Sequence, residues 1–456
     1  MARRIVIVGA GAAGTTAAIQ ARKIDRSSQV LLVTRESEPE YSRCGLPYVF
    51  SGIVPSLEAL ISHPPSFYES VNKIKLVLGT ECMKIWPDKK TVEVADTQTG
   101  NRKALVYDAL VIATGAVPTV PSIKGIEASG VFVVRTLSDI QNLRQYLESR
   151  GRTVVIIGAG LVGMEMAEAL REKGHRVNIV EVLPEVLPAV LDPDMASIVR
   201  ERAEHDRVQI LRSATADEIV SDQGVKAIVV KNEALRADAV IVATRVKPDV
   251  KLAEEAGVQI GDAGGILVDD RMLTNLSDIY AAGDCVETLC SITGRRLLIQ
   301  LATTAVRQGL VAGANAAGGS ETYLPSAGVA TTKLFGLEVA WAGLTTETAR
   351  MLGLSPVSAR VTASTRLPYM PDAKEVTVKL LCNPEDRRLI GAQIVGEEHA
   401  SWRANLASQA MQMKLTVREF RRIETCYAPP LAPVWDPLIL AASALERKLE
   451  GLGVPT

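Results

Sequence analysis

A glycine-rich turn of the form Gly-x-Gly-x-x-Gly occurs twice in this chain, each time between an apolar β-branched run and a helix-forming stretch. In the first copy Arg4-Ile5-Val6-Ile7-Val8 leads into Gly9-Ala10-Gly11-Ala12-Ala13-Gly14. A helical stretch to Lys23 follows, and Val30-Leu31-Leu32-Val33 closes the unit with Thr34-Arg35-Glu36. The second copy runs from Thr153-Val154-Val155-Ile156-Ile157 into Gly158-Ala159-Gly160-Leu161-Val162-Gly163, then a helix through Leu170 and Val177-Asn178-Ile179-Val180-Glu181. Strand, glycine turn, helix, strand and acid form the βαβ unit that binds dinucleotides. The glycines allow the turn, the close approach of a pyrophosphate and tight helix packing, and an acid about 20 residues on binds ribose hydroxyls. One such turn is a weak signal. Two in full context predict two nucleotide sites.

Further strands end in small-residue turns at Tyr107-Asp108-Ala109-Leu110-Val111-Ile112-Ala113-Thr114-Gly115 and Ile279-Tyr280-Ala281-Ala282-Gly283-Asp284, with a weaker echo at Ala237–Thr244. After about residue 325 glycine turns thin out, and a strand at 376–380 followed by a helix near 401–415 predicts a separate α+β domain. The 456 residues exceed what one core supports. The predicted fold class is therefore α/β, with two Rossmann-like dinucleotide-binding domains and a C-terminal α+β domain. Apolar content of 47% and charged content of 23% exclude a disordered chain, and a net charge of −1 gives no footprint for nucleic acid or an anionic membrane. No apolar run reaches about 18 residues, so no membrane insertion is expected. The N-terminus enters a strand without a signal-type apolar region, which makes a cytoplasmic protein the expectation. Six cysteines without a CxxC are too few and dispersed for a disulfide framework or an iron–sulfur cluster, and the four histidines show no metal spacing. No metal is expected.

The ordered set of both fingerprints, the Ala113-Thr114-Gly115 and Gly283-Asp284 turns, Cys44-Gly45-Leu46-Pro47-Tyr48 and Tyr427-Ala428-Pro429-Pro430 resembles the pyridine nucleotide–disulfide oxidoreductases. Within that family it is similar to the single-cysteine branch of coenzyme A disulfide reductases, NADH oxidases and NADH-dependent persulfide or polysulfide reductases. The resemblance implies an FAD domain of residues 1–114 and 248–322, an NAD domain of 115–247 and a C-terminal dimerisation domain of 323–456. FAD would be held by Gly9, Gly11, Gly14, Glu36, Arg43, Cys82, Ala113, Thr114, Gly115, Gly283, Asp284 and Ala302. Asp284 would accept from the ribityl chain and begin a helix aimed at the flavin, with an N-cap as its plainer role. NADH would lie on Gly158, Gly160, Leu161, Val162, Gly163, Glu165 and Glu181. Val182 follows Glu181, with no arginine there for a 2′-phosphate, so NADPH is disfavoured.

By the same resemblance Cys44 is the redox thiol, at a turn entering a helix where thiolates are stabilised. Tyr427 is the acid/base that reaches the thiol of the other subunit in a homodimer. Its acceptor is a small molecule: a disulfide, a persulfide or polysulfide, or oxygen, with coenzyme A as substrate or bound thiol. No cysteine follows Cys44 within a helix turn, which excludes an internal redox disulfide there. Cys285 and Cys290 read as structural, Cys382 as core, Cys82 as core by its lack of a charge partner, and Cys426 as an accessory thiol. The chain also departs from the branch. It has Thr34 where many members carry the ribose acid, Glu40 and Arg43 where Ser and Asn are usual, Arg245 for a glycine, and Met370 beside Tyr369 for a second tyrosine. Arg43 is placed to lower the Cys44 pKa or to bind FAD phosphate. Trp402 and Arg403 interrupt a smoother helix and predict an altered docking surface. These departures support a second reading, an FAD- and NAD-binding electron-transfer subunit whose clusters come from an iron–sulfur partner.

Overall fold

The computed structural model describes residues 2–149 and 151–453. They divide into two units: residues 2–49, 54–119 and 246–326 form the first, and residues 50–53, 120–149, 151–245 and 327–453 the second.

The first unit is built on a parallel sheet with strand order Ile279–Ala281, Ala109–Ile112, Arg4–Val8, Gln29–Val33, Ile74–Val77. Its central strands are almost wholly apolar because both faces are buried, with Ile5, Val6, Ile7, Leu110, Val111 and Ile112 fully enclosed. The helices Ala12–Ile24 and Ala302–Ala316 pack side by side. Small residues set that closeness. A Cβ on Gly309 would lie 2.4 Å from the Ala13 carbonyl oxygen, and one on Gly313 2.2 Å from that of Ala17. A three-stranded antiparallel sheet, Thr80–Trp86, Thr91–Asp96 and Arg102–Val106, completes the unit.

The second unit repeats the parallel design with order Val208–Leu211, Arg176–Val180, Thr153–Ile157, Ala239–Val242, Val131–Val133. A small antiparallel sheet of Ala216–Ser221, Val225–Val230 and Glu233–Arg236 adjoins it in sequence. Its C-terminal part is a five-stranded antiparallel sheet ordered Val329–Leu334, Leu337–Gly343, Leu389–Gly396, Glu375–Cys382, Val357–Ser364. The helix Ala400–Gln412 packs on its second and third strands, and Pro437–Gly451 on its last two. The α/β class with a C-terminal α+β domain is the one the sequence predicts.

Two local expectations are corrected. Asp284 begins no helix: a turn and two short strands, Thr288–Leu289 and Arg296–Leu297, intervene before a helix starts at Ala302. Gly283 lies two residues past the strand end at a φ of +93°, and its amide donates to Gln308. Nor does Arg403 alter a docking surface. It is fully buried and pairs with Asp436, because a single carboxylate elsewhere in the chain offsets its charge.

Candidate active site

Each glycine turn brings strand and helix together in the same way. Gly9 has a φ of +107°, and a Cβ on it would sit 2.1 Å from the Ala113 carbonyl oxygen; one on Gly14 would sit 1.8 Å from that of Gly9. Gly11 is different. Open space lies before its missing Cβ, it occupies the N-cap of Ala12–Ile24, and no side chain caps that helix. Backbone amides facing open space at a helix N-terminus fit a pyrophosphate. The second turn repeats every part: Gly158 at φ +106° against Ala243, Gly163 2.1 Å from the Gly158 oxygen, and an open, side-chain-free N-cap at Gly160. Leu161 begins that helix and Val162 is exposed beside it. Around the first turn, Thr114 Oγ1 donates to the Asp249 carbonyl at 2.6 Å, and Gly115 takes a φ of +75° while its carbonyl accepts from the Asp249 amide. Ala302 is exposed at the start of the uncapped helix Ala302–Ala316.

The acids are held differently. Glu181 immediately follows its strand, is buried, and accepts from the Ala159 amide at 2.6 Å and the Leu183 amide at 2.9 Å. In the first unit the equivalent position is Thr34, since the Gly9 amide bonds Val33 as the Gly158 amide bonds Val180. Glu36 lies two residues further on, and its carboxylate accepts from Tyr41 Oη at 2.6 Å and from Arg43 Nη2 at 2.7 Å. Arg43 also donates to Tyr41 Oη at 2.7 Å and covers the tyrosine ring. Its guanidinium is thereby directed to the acid. Glu40 accepts from Thr15 Oγ1 at 2.9 Å, which ties the segment before the thiol to the first glycine-turn helix.

Cys44 is exposed in the turn Arg43–Gly45, which runs into the short helix Leu46–Ser51. Close packing fixes that turn, for a Cβ on Gly45 would meet the Leu60 side chain at 2.4 Å. Cys285, Cys290 and Cys382 are buried, and Cys285 packs in the core beside the Ile112 and Ala282 carbonyls. Burial pushes the Cys285 thiol up to about 11 and those of Cys82 and Cys382 up to about 12, so none of the three is a ready thiolate near neutrality. Cys426 and Tyr427 are exposed.

On the second glycine-turn helix, Leu161–Glu172, two carboxylates meet the C-terminal sheet. Thr332 Oγ1 donates to Glu165 at 2.7 Å, and the Phe335 amide donates to Glu168 at 2.7 Å. Burial pushes Glu165 upward and Glu168 up to about 7, against the pull of those donors. Sequence reasoning singled out Glu165 and missed Glu168, Thr332, Gly309 and Gly313. The Gly-x-x-x-Gly spacing in an alanine-rich helix was a usable signal for the last two; a hydroxyl on a distant strand leaves none. Among the described residues no cluster of three or more His, Cys, Asp and Glu side chains could hold a metal, and no helix is long and apolar enough to cross a membrane.

Comparison with known proteins agrees with this geometry. The profile described as "Pyridine nucleotide-disulphide oxidoreductase" matches residues 3–309, and that of its dimerisation domain matches residues 329–437. The chain is 39% identical over 447 residues to an NADH oxidase of Methanocaldococcus jannaschii, covering 98% of this chain and 99% of that one. It is 34% identical over 448 residues to an NAD(P)H coenzyme A polysulfide/persulfide reductase of Pyrococcus horikoshii, covering 98% and 99%. The solved NAD-dependent persulfide reductase of A. fulgidus superposes with a TM-score of 0.95 at 34% identity, over 98% of this chain and 84% of that one. The chain belongs to the pyridine nucleotide-disulphide oxidoreductase family and is an FAD-dependent NAD(P)H oxidoreductase.

Proposed function

We propose that the enzyme passes two electrons from NADH to a sulfur–sulfur bond, with Cys44 as the thiol at which the acceptor enters. The observation that carries this reading is the exposed Cys44 in a turn whose Arg43 is directed to Glu36, the proposed ribose acid of FAD. FAD would be held by Gly9, Gly11 and Gly14, with Ala113–Gly115, Gly283, Asp284 and Ala302 completing its site. NADH lies on Gly158, Gly160 and Gly163 with Glu181 on its ribose. The corresponding domains are 1–114 with 248–322, 115–247 and 323–456. When bound, FAD supplies the two-electron link between NADH and sulfur.

The chain's own residues do the rest. The Cys44 thiolate attacks one sulfur of RS–SR′, forming Cys44–S–S–R and releasing R′S⁻, which takes a proton from Tyr427. Two electrons from NADH and a second proton then return Cys44 to the thiolate and release RSH. The sum is RS–SR′ + NADH + H⁺ → RSH + R′SH + NAD⁺. With a persulfide, one product is hydrogen sulfide. Coenzyme A is the proposed thiol carrier, a reading favoured by the similarity to the coenzyme A polysulfide/persulfide reductase of Pyrococcus horikoshii. The dimerisation-domain match supports a homodimer in which Tyr427 serves Cys44 of the partner subunit. NADH is favoured over NADPH because Glu181 would repel a 2′-phosphate.

Steady-state turnover of the purified protein with coenzyme A disulfide, polysulfide and oxygen tests the acceptor. The proposal expects a sulfur acceptor to give the highest kcat/KM. Rapid oxygen reduction with inert sulfur acceptors would replace it with an oxidase activity.

A further inference from the structure

We propose that Arg403 is a positioning residue for Tyr427 and acts through Asp436; this rests on the reading of Tyr427 as proton donor. Residues 422–435 carry Tyr427 and present Tyr427, Leu431, Val434 and Trp435 to the outside. Such a segment needs fixed ends to hold a tyrosine in one place. At its C-terminal end Asp436 is 1% exposed and Arg403 is 0% exposed. Arg403 Nε lies 3.2 and 3.1 Å from the two Asp436 oxygens, Nη2 donates to Oδ2 at 2.9 Å, and Nη1 donates to the His399 carbonyl at 2.9 Å. Asp436 Oδ1 also accepts from the Leu438 amide at 2.9 Å and so caps the helix Pro437–Gly451. At the N-terminal end Arg421 Nε lies 2.6 Å from Glu446 Oε2 on that same helix. Between these clamps the Leu431 and Ala432 amides both donate to the Ala428 carbonyl at 2.9 Å, folding the segment back next to the tyrosine.

The chemistry favours a positioning role over a purely stabilising one. A fully buried Arg–Asp pair gains little over apolar packing, since desolvation consumes most of its attraction. What a bidentate guanidinium adds is direction: two fixed bonds set where Asp436, and with it the end of the segment, can lie. The pair joins Ala400–Gln412 to the start of the last helix, at the junction where the Tyr427 segment ends.

Four variants test this: Arg403→Lys, which keeps the charge and gives up the planar fork; Arg403→Met with Asp436→Asn, which removes both charges and keeps the cap; Tyr427→Phe; and Arg403→Lys with Tyr427→Phe. With the sulfur acceptor, Arg403→Lys is expected to lower kcat about tenfold with little change in the KM for NADH. Adding it to Tyr427→Phe should cost nothing further, because the loss runs through the same hydroxyl. The charge-free pair carries the same test if the lysine variant does not fold. Wild-type kcat in both Arg403 variants, or losses that multiply in the combined variant, overturns the positioning role while leaving Tyr427 its part. Wild-type kcat in Tyr427→Phe instead overturns the tyrosine assignment, and the inference with it.

Discussion

The two glycine turns share a backbone and differ in how they secure their acids. In the second, Glu181 ends its strand in a buried position and takes two main-chain amides, so its geometry is set by the fold itself. In the first, Thr34 fills that position and Glu36 is held by the side chains of Tyr41 and Arg43. The first acid is therefore wired to the segment that carries Cys44, and the second is not. Their helices differ too. Leu161–Glu172 carries Glu165 and Glu168 where Ala12–Ile24 carries Thr16 and Ile19 at the same steps from the third glycine. One scaffold thus yields a site joined to a thiol and another whose helix meets the C-terminal sheet through carboxylates.

The largest expected effect comes from forcing a side chain into each turn. Gly9→Ala places a Cβ against the Ala113 oxygen at a left-handed φ, and the purified protein should retain FAD more than about tenfold less well, read from its visible absorbance. Gly158→Ala should keep FAD and raise the KM for NADH instead. Loss of FAD from both variants would break the division of labour between the turns.

A smaller effect is expected at the second acid. Glu181→Gln removes the charge and keeps an acceptor oxygen, so the KM for NADH should rise about tenfold while NADPH gains relative to NADH. Unchanged discrimination between the two nucleotides would show that Glu181 does not read the ribose.

The smallest sharpens the contrast between the helices. Burial raises folded Glu168 to about 7 from the ordinary 4.5, so the folded state holds the extra proton between those values. Its contribution is fully present below about pH 4.5 and is lost as pH rises through about 7. Glu168→Gln should therefore match wild type near pH 4.5 and melt about 2 °C higher at pH 8. A constant difference in Tm across that range would contradict the assignment.

The glycine turns were legible in sequence because backbone conformation and close approach restrict those positions to one residue type. Cys44 and Tyr427 were legible only through their flanking motifs. What could not be read is pairing over distance. Nothing local joins Arg403 to Asp436: in sequence Arg403 reads as a surface change, and in the fold it is buried against a carboxylate 33 residues on. Sequence alone offers Arg43 to the thiol or a phosphate, whereas the fold brings Glu36 and Tyr41 around it. Asp284 misled for a related reason: a Gly-Asp turn after a strand suggests an immediate helix, whereas the helix that follows begins at Ala302.

In the proposed reaction electrons leave the flavoprotein through the sulfur of Cys44. Wild type and Cys44→Ser, each first treated with coenzyme A disulfide and freed of the excess, can be titrated with NADH without oxygen while absorbance is followed. Wild type should consume about two equivalents of NADH per bound FAD, one for the flavin and one for the disulfide on Cys44, and the variant about one. Equal uptake by the two proteins would show that the thiol lies off the path of the electrons.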